Sequence, residues 1–143
     1  MTLNNLVGIS LEKISVDLKA IKRLIAAAER NIADSKIVAV SAENRFDAAY
    51  KAIMQIANAA LQANSYRTLT SKPGHHQLMI QSLSQILEID NNTVILLDAM
   101  RKQRNVADYS GDIVPESTVK DCISQAEELL KTFHEWLTAK FAE

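Results

Sequence analysis

Cysteine, proline, glycine and aromatic residues are all scarce in this sequence of 143 residues, and each scarcity excludes something. The single cysteine, Cys122, rules out an intrachain disulfide and suits a reducing compartment. With only three histidines beside it, a zinc site of the usual spacing cannot be built, so no metal and no cofactor are expected. Charge of one sign is also lacking. Sixteen basic and 17 acidic residues leave a net charge of −1, so no global basic field drives nucleic-acid binding and any anion site must be local. No apolar run reaches the length of a membrane span, and residues 1–6 carry no basic segment leading into an apolar one. Neither a signal peptide nor a membrane association is expected, and the cytoplasm is the expected compartment.

Two prolines and three glycines leave long segments unbroken, while 48% hydrophobic content suffices for one sizeable core. The expected fold is all-α, an antiparallel helical bundle of about five helices forming a single domain over residues 1–143. Val7, Leu11, Ile14, Leu18, Ile21, Ile25, Ala28 and Ile32 recur every three or four residues and predict helix one over about 4–32. The β-branched run Ile37-Val38-Ala39-Val40 would permit a short strand, but nothing nearby offers it a partner, so 35–42 reads as helix. Phe46, Ala49, Tyr50, Ile53, Ile56, Ala57, Ala60 and Leu61 predict helix two from Arg45 to about Asn64, with alanines that let a neighbour approach closely. Residues 64–74 hold turn formers ending in Pro73-Gly74 and read as the longest irregular loop and the most mobile segment. Helix three follows from His75, with Leu78, Met79, Ser82, Leu83 and Ile86 on one face. Asp90-Asn91-Asn92 can cap helix four, Thr93 to about Asp108, and Pro115-Glu116 suit the first turn of helix five. The apolar stripe of that last helix is Val119, Cys122, Ile123, Ala126, Leu129, Leu130, Phe133 and Leu137, and Cys122 falls on it as a buried structural thiol should.

The chemistry concentrates near the end of helix four. Asp98, Arg101, Arg104, Asn105 and Asp108 are spaced by three, four and seven, which draws a polar stripe along an otherwise apolar helix. Two guanidiniums and an amide are costly to bury unpaired. The stripe therefore faces solvent, closes an ion-pair network, or meets an anionic ligand, for which planar guanidinium donors suit a phosphate. A second candidate is the basic, hydroxyl-rich stretch from Arg67 to Lys72, which feeds through Pro73-Gly74 into a helix start at His75-His76. A histidine there could exchange protons near neutral pH.

With Arg101-Lys102-Gln103-Arg104-Asn105-Val106-Ala107-Asp108-Tyr109 closing the fourth of five helices, the chain resembles the HEPN domain superfamily. The resemblance implies a small all-α bundle that acts on or binds RNA or nucleotides. Many such domains carry arginine, a polar residue, three further residues and histidine, and several are metal-independent endoribonucleases of toxin or antiviral systems. Others are noncatalytic partners of nucleotidyltransferases or toxin-system proteins, and members usually form homodimers. Matched to that motif, Arg104 and Asn105 take the catalytic positions, and Tyr109 stands where histidine is usual. A phenol, with a reference pKa near ~10, is a poorer base than imidazole at neutral pH. Arg101, Asp108, Arg67, His75 and His76 complete the expected substrate-binding set. An RNA-directed protein, possessing or lacking cleavage activity, and a helical dimer that docks a protein partner are the two function classes.

Overall fold

The computed structural model describes residues 3–69 and 75–141. Among them run five α-helices: α1 (Leu18–Ser35), α2 (Ala42–Ala63), α3 (His75–Ile86), α4 (Asn91–Ser110) and α5 (Glu116–Lys140). Two three-residue strands, β1 (Leu11–Lys13) and β2 (Tyr66–Thr68), pair antiparallel with Glu12 opposite Arg67. The expected all-α bundle is what forms.

Helix α2 is the axis of the molecule, touching all four other helices and β2. Its composition makes this possible. Ala49, Ala52, Ala57, Ala59, Ala60 and Ala63 are all buried, and side chains that small let α1 and α5 settle close against the α2 backbone. Larger residues fill the seams on either side: Ile21, Ile25 and Ile32 from α1, Val119, Leu129 and Phe133 from α5. Cys122 is buried in the same α5 stripe, where desolvation pushes its thiol up to about 12 and leaves it inert. Among the described residues Arg45 is the one buried charged side chain. Its Nε donates to the Val40 carbonyl at 2.9 Å and its guanidinium grips Glu116 with both terminal nitrogens, tying the α1–α2 connection to the start of α5.

The helix ends follow local chemistry. Asp90 caps α4 by accepting from the Thr93 N–H at 2.7 Å, and Gly111 ends it in the left-handed region at φ 71°.

Three expectations need correction. Helix one does not begin near residue 4: Leu3–Leu6 form a single 3₁₀ turn, Gly8 reverses the chain at φ 85°, and Leu11 is buried as a strand residue. Asp17, whose carboxylate accepts from the Lys19 and Ala20 N–H groups, sets the true start of α1. Residues 36–41 are neither helix nor strand. There Ser41 caps α2 by accepting from the Asn44 N–H, and Ile37 and Val38 remain exposed. The 64–74 stretch is not wholly irregular either, because Tyr66–Thr68 finds a partner in β1; residues 70–74 lie outside the described residues. Helix α4 buries only Leu97 and Met100 and leaves Ile95 exposed, so it carries more apolar residues than its one buried face needs.

Candidate functional site

Side chains from α2, β2, α3 and α4 meet at a half-open cavity of about 350 Å³ lined by Asp47, Tyr50, Lys51, Met54, Gln55, Asn58, Thr68, His75, His76, Met79 and Arg104. The α2 contribution follows from helical spacing. Asn44, Asp47, Lys51, Gln55, Asn58 and Gln62 step by three and four along α2, the one polar line on a helix whose remaining surface is mostly buried. That polar line is the sign of the site carried by the sequence, and the apolar positions that predict this helix do not include it.

Arg104 lies at the α4 wall. Its Nε donates to Asp47 Oδ1 at 3.2 Å and stands 3.7 Å from Asp108 Oδ2, while its guanidinium carbon sits 5.5 Å from the Tyr50 ring centroid. Both carboxylates thus engage the same nitrogen. The terminal nitrogens have no hydrogen-bond partner among the described residues, so the fork that best matches a phosphate is left to the groove. With Lys51 it supplies two cations against Asp47 and Asp108, a balanced site in which an incoming anion shares Arg104 with its anchors.

Opposite stand the histidines. His76 Nδ1 lies 3.3 Å from the Tyr50 hydroxyl, and the His75 and His76 rings meet edge to face with centroids 4.6 Å apart. Burial, then the positive field of His75, Arg104 and Arg101, holds His76 below the ordinary histidine range. It is therefore neutral at pH 7. Burial pushes the Tyr50 hydroxyl up to about 12 against the opposing pull of Arg104 and Arg101, so the phenol keeps its proton. If Nδ1–H donates to the phenol oxygen, the His76 lone pair sits on Nε2 and is available as a base.

The expected site residues separate into two groups. Arg104, His75 and His76 line the groove, and Asp108 stands at its rim against Arg104. Arg101 sits behind it, its Nε donating to Asp98 at 2.9 Å, and reaches Tyr50 and His76 only through its field. Arg67 is outside, paired with Glu12 on the solvent side of the strand pair, although its neighbour Thr68 lines the groove. Asn105 and Tyr109 are outside too, and Tyr109 is 92% exposed. Helical geometry requires this: five residues at roughly 100° each turn Tyr109 about 140° away from Arg104 around the α4 axis. Tyr50, Asp47, Lys51 and Asn58 are the groove residues the motif alone did not point to.

A sequence model of the HEPN domain matches residues 21–136, from the first buried residue of α1 to the last turns of α5. No curated protein matches the chain.

Proposed function

The chain belongs to the HEPN domain family, in general terms one of nucleotide-binding and nuclease-like domains, and from that premise we propose that it is an RNA-directed protein whose groove holds a phosphodiester and cleaves it without metal. The observation that carries this reading is the convergence of the free Arg104 fork, Lys51 and a neutral His76 on one cavity. In the proposed step His76 Nε2 takes the proton of the substrate 2′-hydroxyl, and the 2′-oxygen attacks the adjacent phosphorus. Arg104 stabilises the charge gathering on the phosphoryl oxygens. The P–O5′ bond breaks, the leaving oxygen is protonated from solvent, and the products are a 2′,3′-cyclic phosphate and a 5′-hydroxyl. A toxin-type or antiviral role would follow from such an activity.

The test is cleavage of end-labelled single-stranded RNA in excess chelator. Cleavage is expected, with a cyclic phosphate end. Its kcat/KM is expected to fall on the acid side with a midpoint below the ordinary histidine value of 6.5, because protonation of His76 removes the base. A midpoint at or above 6.5 would exclude His76 from that role, and no cleavage of any RNA would overturn the nuclease reading.

One observation favours a second reading, a protein-docking dimer. Val106, Tyr109 and Ile113, at 49%, 92% and 77% exposure, leave apolar surface at the end of α4, outside the groove. A second copy pairing α4 with α4 would cover it, and a nucleotidyltransferase-type protein could cover the same surface instead. Light scattering is expected to give twice 15.9 kDa for the wild type and 15.9 kDa for Tyr109→Asp. A monomeric wild type would remove the homodimer.

A further inference from the structure

The groove has two chemically different ends. At one, Arg104 and Lys51 gather charge beside the histidine pair; at the other, Met54 and Met79 form an apolar shelf edged by Gln55, Asn58 and Thr68. Both methionines line the cavity while being mostly packed into the core, which fixes an apolar, polarisable thioether lining of the kind that suits an aromatic face. The edge is polar and directional. The Gln55 carbonyl oxygen accepts from Asn31 Nδ2 at 2.9 Å, and the Asn58 carbonyl oxygen accepts from Gln62 Nε2 at 3.2 Å. Each acceptor is thus used within the protein, and the Gln55 and Asn58 amide hydrogens have no partner among the described residues. Thr68 adds a hydroxyl that can donate or accept. Among the lining residues no carboxylate lies at this end, Asp47 being beside Arg104.

Length matches the chemistry. Lys51 and Asn58 are seven residues apart on a straight helix, roughly 10 Å along its axis, about the reach from a phosphate to the far edge of the attached base. An apolar shelf with hydrogen-bond donors along its rim is a surface for a heterocycle, and a cavity of about 350 Å³ is too small for a base pair with its two backbones. We infer that the Met54–Met79 end of the groove is a base pocket that accepts one unpaired nucleotide, its base on the thioether shelf and its edge read by Asn58 and Thr68, with its phosphate at Arg104. The inference rests on the reading of the Arg104 end as a phosphate site. A free nucleotide and a splayed-out nucleotide of single-stranded RNA share this chemistry.

Calorimetric titration of the full chain with adenosine and uridine 5′-monophosphates, ribose 5-phosphate and a single-stranded tetranucleotide tests it. At least one mononucleotide is expected to bind about tenfold tighter than ribose 5-phosphate, the difference a base resting on thioethers supplies. Asn58→Ala, and separately the isosteric Thr68→Val, should narrow that difference and leave ribose 5-phosphate binding unchanged, with melting curves verifying the fold. Tighter binding of the tetranucleotide supports the pocket with RNA as the source, and equal or weaker binding supports it with free nucleotide as the source. Equal affinity for mononucleotides and ribose 5-phosphate overturns the base pocket while Arg104→Ala still weakens both, which preserves the phosphate site. No binding of any of these probes overturns both readings.

Discussion

Arg104→Ala is expected to lower RNA cleavage by about 10²–10³-fold, the usual consequence of removing one donor that stabilises transition-state charge. The fold should survive. The side chain is 31% exposed and its two carboxylate partners are more exposed still, so Asp47 and Asp108 fall back on water when the guanidinium goes. Arg104→Lys sharpens the test, because it keeps the charge and loses the fork: partial recovery of activity would identify charge as the main contribution, and none would identify bidentate geometry. Cleavage by Arg104→Ala at the wild-type rate would remove this groove from the chemistry.

The largest stability effect is expected from Phe133→Ala. Phe133 is fully buried on α5, with its ring centroid 5.9 Å from that of Trp136. Truncation there should cost about 3–5 kcal/mol, combining lost transfer energy with an unfilled cavity. For a chain of this size the melting temperature should drop by roughly 10 °C or more. Urea unfolding followed by circular dichroism would check it, and a loss under about 1 kcal/mol would mean the neighbours collapse into the space. Phe133 does not line the groove, so ligand affinity should persist below the new transition.

Helices α3 and α5 were legible because a single apolar stripe with the helical period decides both their existence and their buried face. Met79, Leu83 and Ile86 are buried as read, and so are Val119, Cys122, Ala126, Leu129 and Phe133. The N-terminal segment was not legible for a specific reason. Val7, Leu11, Ile14 and Leu18 keep helical spacing by coincidence, and what overrides it is a pairing between Glu12 and Arg67, 55 positions apart, which no local window contains. The site divides in the same manner. Arg104 and the histidine pair stand out by residue type, whereas Asp47, Tyr50, Lys51 and Asn58 acquire meaning only once α2 is known to run beneath α3 and α4. Motif spacing grouped Tyr109 with Arg104, but spacing along a sequence carries no azimuth, and helical rotation sends the two side chains to different sides of α4.

The β1–β2 pair has a consequence for motion. It joins the chain just before α1 to the chain just after α2, so the α1–α2 hairpin is enclosed in a loop fastened by a few ladder bonds, one surface ion pair and the single buried side chain of Leu11. Such a short clasp opens at far lower cost than a helix packed on several sides, and its amides should exchange with solvent well before those of α2. Thr68 belongs to the clasp and to the groove wall alike. Each fraying of the strands would therefore loosen one wall of the cavity while the helical walls stand still, giving a ligand a way in and out that does not require the bundle to breathe.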